Sequence, residues 1–162
     1  MRQLNWFDPG HEIDASLIHE AQQKLGLEFP HDYVDLIRQH NDANNPRESS
    51  FLVTGEGVSN FGALISLRRR TETERGRDPD IYGIIRMLGK QLPDRIVPFA
   101  LTGDGDFICF DYRSDKDDPA IVYFSHEASF TEHAIIPLAS GLSAFLDLLY
   151  VPPRHLDPAQ AG

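Results

Sequence analysis

Residues 92–126 read LPDRIVPFALTGDGDFICFDYRSDKDDPAIVYFSH. Three short apolar runs, Ile96–Leu101, Phe107–Tyr112 and Ile121–Phe124, are separated by two acidic turns. The first turn is Thr102-Gly103-Asp104-Gly105-Asp106 and the second runs from Arg113 to Pro119. Runs rich in aromatic and β-branched side chains, joined by Gly/Asp loops this short, predict an antiparallel meander. Its rims carry carboxylates, and nothing in it has the make-up of a reaction centre. That combination points to a binding module.

Working outward, residues 14–25, DASLIHEAQQKL, place Leu17, Ile18, Ala21 and Leu25 on one helical face, with Asp14 as N-cap and Gly26 as stop. Pro30 leads into a second helix over Asp32 to His40, with Tyr33, Leu36 and Ile37 as its buried stripe. Asn41–Ser50 reads as a loop. Phe51–Val53 and Phe61–Leu67 read as strands around Gly55-Glu56-Gly57, and the charged run Arg68 to Arg77 as an exposed loop. Asp78-Pro79 is the expected N-cap and N1 pair of a third helix through Ile81, Ile84, Ile85 and Leu88, ended by Gly89 and Pro93. Beyond the meander, Ser140 is the expected cap of a last helix carrying Leu142, Phe145, Leu146 and Leu149 on one face. This order predicts an α+β fold: a single domain over residues 1–150, with a largely antiparallel twisted sheet of about five to six strands packed by about four helices. Residues 151–162 are expected to form a Pro-containing, disordered C-terminal tail.

Composition narrows the function. A chain of 162 residues with 41% hydrophobic and 25% charged residues suits one soluble domain with a real core. With 15 Lys+Arg against 25 Asp+Glu, the net charge of -10 repels nucleic acid and attracts a basic partner. No apolar run approaches the ~18–20 residues that cross a bilayer, and MRQLNWFDPGHE lacks the apolar stretch of a secretory signal, so a cytoplasmic location is expected. The lone Cys109 excludes an internal disulfide framework and a Cys-based zinc cluster.

Four blocks, taken together, resemble the SUKH superfamily of Smi/Knr-type domains. They are LGLEFPHDYVDLIRQHN after the first helix, the Ile81-Tyr82 helix start, IVPFALTGDGDFICFDY followed by VYFSHE, and PLASGLSAFLDLL. In order, they span Ile13 to Tyr150. Two departures stand out: Asn41 is followed by Asp42 and Ala43 where the family has Asn-Gly-Gly, and the 103–106 turn has one glycine fewer. The resemblance implies a non-enzymatic interaction domain. Many bacterial members are immunity proteins that neutralise toxins, often nucleases, of polymorphic or contact-dependent systems. Eukaryotic relatives act as regulatory or adaptor domains, which makes a housekeeping adaptor in signalling or the cell envelope the alternative.

Catalytic and metal readings fare worse. Counting a calcium loop from Asp104 puts Ile108 at position 5 and Cys109 at position 6, so the ligand pattern fails. A hydrolase built on Asp104 and Asp106, with His126, is conceivable, but Asp and Gly in a tight turn are chosen for backbone reasons. Cys109 lies between Ile108 and Phe110, a setting for a buried thiol. His126-Glu127 lacks a second histidine four residues on, the next being His133, so no zinc helix forms. Gly55-Glu56-Gly57 lacks the Lys-Ser/Thr of a phosphate loop, and the arginines at 68–77 are interleaved with acids. No cofactor, metal or catalytic residue is assigned. The expected partner is a basic toxin domain, met by an acidic, partly aromatic face that mimics phosphate: Asp104, Asp106, Asp115, Asp117, Asp118 and Tyr112.

Overall fold

The computed structural model describes residues 1–71, 73 and 79–153. The chain runs β1 (Trp6–Asp8), α1 (Ala15–Leu25), α2 (His31–His40), β2 (Asn44–Pro46), β3 (Ser50–Val53), β4 (Gly57–Leu64), α3 (Ile81–Leu88), β5 (Ile96–Thr102), β6 (Phe107–Asp111), β7 (Ala120–Phe124), β8 (Ile135–Ala139) and α4 (Leu142–Leu148). The strands form one antiparallel sheet in the order β1-β2-β4-β5-β6-β7-β8, with β3 paired to the outer half of β4. The fold is therefore α+β with four helices, and the sheet has eight strands where the sequence suggested five or six.

The meander lies at the centre. Phe107–Asp111 pairs residue for residue with Ala120–Phe124, and β5 pairs with β6 from Ile96↔Asp111 to Leu101↔Phe107. Every residue of 96–100, 107–110 and 121–124 is buried, so both faces of these strands are covered. Pro98 sits inside a central strand, where it removes a ladder donor. The register shifts between Pro98 and Ala100, the bulge that such a proline requires.

Aromatic packing ties the helices to this sheet. Tyr33 of α2 lies edge-on to Phe110 (5.1 Å) and Phe99 (5.9 Å), which stack on each other at 4.3 Å. Phe145 of α4 meets Phe51 of β3 at 5.3 Å. Helix α3 packs on β5, and α4 on β7 and β8.

The first helix is built as its sequence predicts: Asp14 accepts from the Ser16 N–H at 2.9 Å, and Gly26 closes it at φ 68°. The other helix starts differ. Asp80 caps α3, accepting from the Gly83 N–H (2.8 Å) and from the Arg70 N–H (2.7 Å), while Asp78 lies outside the described residues. At α4 the N-cap is Gly141, not Ser140, and it offers no side chain. The cap arrives from α2, where Asp32 Oδ2 accepts from the Ser143 N–H at 3.2 Å and the Ser143 hydroxyl at 2.9 Å. The other end of α4 is closed by Arg2, which donates to the Leu146 and Leu149 carbonyls at 2.9 and 2.6 Å.

Asp42 stands where the resembling sequences carry glycine, and it adopts φ 67°, the left-handed region that glycine tolerates best. Its carboxylate is held by Arg70 at 2.5 Å. Strand β4 begins and ends earlier than the sequence suggested, at Gly57 and Leu64, and the 41–50 segment contains β2 and the start of β3. The charged 68–77 segment lies partly, and the 151–162 tail largely, outside the described residues. Among the described residues no helix is long and apolar enough to cross a membrane.

Candidate functional site: two acidic ends of the meander

The two acidic turns are neighbours in sequence but not in space. One joins β5 to β6 and the other joins β6 to β7, so they lie at opposite ends of β6. Asp106 and Tyr112 are separated by the length of that strand, about 20 Å at ~3.3 Å per residue.

At the first end, the turn closes on itself: the Thr102 N–H donates to the Asp106 carbonyl and the Asp106 N–H to Thr102 Oγ1, both at 3.0 Å. Gly105 takes φ 83°, which the turn needs and a side chain would resist. Asp104 is exposed, but Asp106 is not free. Its Oδ2 accepts from the Tyr123 hydroxyl at 2.5 Å, and its Oδ1 from the His126 N–H at 3.0 Å and from His126 Nδ1 at 2.6 Å. A carboxylate only accepts, so the His126 proton facing it sits on Nδ1. Burial, then the bond and charge of Asp106, push the Tyr123 phenol above its ordinary value. Asp106 is thus a latch that ties β6 to the end of β7, and it drops out of the expected binding face.

At the second end, Asp111 and Arg113 close the strand with two parallel bonds of 2.9 Å. That bond and charge hold the Asp111 carboxyl below its ordinary value, against a smaller opposing effect of burial. Asp115 then shapes the turn, accepting from the N–H groups of Asp117 (2.8 Å) and Asp118 (3.1 Å). The carboxylates of Asp117 and Asp118 are left to solvent, the Asp117 side chain 75% exposed beside Lys116 at 3.9 Å. This end brings together three of the expected residues, Asp115, Asp117 and Asp118.

Tyr112 is not an exposed aromatic anchor. It is only 4% exposed, and its hydroxyl donates to the Glu28 carbonyl at 2.9 Å, tying β6 to the link between α1 and α2. Burial pushes its phenol up. The ring forms one wall of a groove of about 840 Å³, whose other walls include Leu27, Ile85, Leu92 and Val97. Glu28, Asp94, Arg95, Lys116 and Asp117 line its polar rim. Sequence reasoning missed this groove because its walls come from four separate segments, none with a local motif.

The remaining candidates are structural. Cys109 is fully buried in β6, and burial pushes its thiol well up, away from the thiolate that attacks or binds metal. His126 is held by Asp106, and His133 lies on an exposed loop beside Glu132 at 3.5 Å. Among the described residues no three His, Cys, Asp or Glu side chains converge as a metal site would require.

An acidic rim and an apolar groove thus adjoin at this end of the meander, and the titratable groups of the other end are tied up in structural bonds. The chain belongs to the SMI1/KNR4 family (SUKH-1), whose family model matches residues 12–148. Among curated proteins, none matches it. Membership places the chain with protein-interaction and immunity-type domains, a family that is generally non-catalytic.

Proposed function

We propose that this chain is an immunity protein that neutralises a toxin domain with a basic surface, of the nuclease type, by covering its active cleft in a one-to-one complex. The observation that carries the reading is the β6–β7 turn, which holds Asp115, Asp117 and Asp118 together at the edge of a protein of net charge -10. A nuclease cleft is cationic because it must hold phosphate, and a fixed group of carboxylates competes for the same charges. Steering by the overall negative field raises the association rate, and the tightest immunity complexes reach a Kd of about 10⁻¹⁴ M.

The test is co-expression, in the cytoplasm, with the proteins encoded next to this gene. Protection of the host from a neighbouring toxic domain, with a complex that survives gel filtration, is the expected result. If every basic neighbour remains toxic, or if the protein recovered with the chain is a resident regulator, the immunity reading fails and an adaptor role replaces it.

A further inference from the structure

The groove beside the β6–β7 turn has a composition that selects its occupant. Its walls, Leu27, Ile85, Leu92, Val97 and the Tyr112 ring, are apolar. Tyr112 cannot swing out to fill the groove without breaking its 2.9 Å bond to the Glu28 carbonyl, so this wall is fixed in advance. Above that floor, Glu28, Asp94 and Asp117 outnumber Arg95 and Lys116 on the rim, and the exposed Asp115 and Asp118 of the same turn add to the negative side. Arg113 does not redress the balance, because Asp111 binds it with two bonds of 2.9 Å.

Charge narrows the candidates. A phosphate-bearing ligand is repelled by this rim. A second copy of this chain, itself at -10, would bring like charges together. The other end of the meander offers no equivalent, since both oxygens of Asp106 are engaged and Asp104 stands alone. The exposed Leu52 and Val58, paired on the β3–β4 hairpin near the exposed Glu56, form an apolar spot with nothing in the structure to say what covers it.

We infer that the groove walled by Leu27, Ile85, Leu92 and Tyr112 is a docking site for a segment of a protein partner that inserts an apolar side chain and flanks it with Lys or Arg. This rests on the basic-partner reading above and names where that partner is gripped. The apolar anchor is desolvated on the groove floor while its cationic neighbours meet Asp117, Asp118 and Glu28. Affinity then comes from a buried centre and orientation from the charged rim.

The probe is a short amidated peptide of alternating Lys and Leu, titrated into the full-length ¹⁵N-labelled protein, with the Glu/Leu peptide as its counterpart. Saturable shifts are expected at Leu27, Ile85, Leu92 and Lys116, with the Glu/Leu peptide inert. Asp117→Lys combined with Asp118→Lys should weaken binding about tenfold, as reversing two rim charges does. Glu56→Lys combined with Glu132→Lys serves as the control for net charge, because it reverses the same number of charges at exposed sites in the β3–β4 turn and on the loop before β8, and it should leave the affinity within about twofold. All four sites are exposed, so folding is not at issue. No saturable binding, shifts centred elsewhere, or equal weakening by the Glu56→Lys, Glu132→Lys control would overturn the inference. The two proposals fail separately. A neighbouring toxin bound as tightly by the Asp117→Lys, Asp118→Lys variant as by the parent removes the groove and keeps the immunity role. Peptide binding in the groove with no toxin neutralised does the reverse.

Discussion

Replacing Asp106 by Ala tests whether this residue is a structural latch or a free binding group. The wild-type carboxylate, with a side chain 13% exposed, receives the Tyr123 hydroxyl, the His126 N–H and His126 Nδ1. The three bonds do not count equally. Tyr123 is 4% exposed, so solvent poorly replaces the bond its hydroxyl loses when Asp106 is removed, and a buried charge-assisted bond of this kind is worth about 2 kcal/mol. The His126 side chain is 43% exposed and water replaces much of what it loses, so its ring contact contributes about 0.5 kcal/mol and its backbone N–H about 1 kcal/mol. Asp106→Ala should therefore destabilise the fold by roughly 3 kcal/mol. Urea unfolding followed by far-UV circular dichroism measures this directly from the midpoint shift at constant slope. Tyr123→Phe removes the orphaned hydroxyl, so the double variant should recover about 2 kcal/mol relative to additivity. A loss below about 1 kcal/mol for Asp106→Ala, or strict additivity with Tyr123→Phe, would refute the latch and return Asp106 to the binding face.

Three further perturbations read other parts of the structure. Asp32→Ala should cost about 1–2 kcal/mol in the same unfolding assay and fray α4, because among the described residues Asp32 is the side chain that caps the Ser143 N–H; an unchanged midpoint contradicts this capping. Tyr33→Phe should be neutral or stabilise by about 1 kcal/mol, since the Tyr33 hydroxyl is fully buried without a hydrogen-bond partner among the described residues; a loss above about 1 kcal/mol would mean that it has one. The third concerns Glu48, where burial raises the carboxyl pKa but the bonds from the Asn5 N–H (2.9 Å) and the Asn5 amide, with the charge of Arg2, outweigh it. The net value lies below the ordinary 4.5, so its stabilisation is present above 4.5 and is lost as the pH falls through the depressed value. Glu48→Gln should thus show a shallower fall in Tm between about pH 5 and pH 3 than the parent; parallel curves would exclude this contribution.

Much of the fold is legible in short-range signals. The meander, the stripes of α1 and α2 and the caps Asp14 and Gly26 follow from periodicity and from turn and cap chemistry, each decided within a few residues. Strands β1 and β2 escape such a reading because WFD and NNP are each three residues long, too short to show an alternation, and NNP is made of residues that strands disfavour; both are strands only through the partners they meet. Strand β8 escapes because Pro137 interrupts it, which an edge strand tolerates and a reading by propensity penalises.

The sequence by itself determined the composition of the site: an acidic chain, five aspartates in two turns of a meander, and no spacing that suits a metal or a nucleophile. Tertiary structure decided which of those aspartates are available. It turned Asp106 inward to Tyr123 and His126, buried Tyr112 against Glu28, left Asp117 and Asp118 in solvent, and sent Asp32 across 111 residues of sequence to cap α4. The physical reason is the range of the forces involved. Backbone preference and hydrophobic period act over a turn or two, whereas the choice between water and a buried donor depends on whichever strand or helix comes to lie alongside.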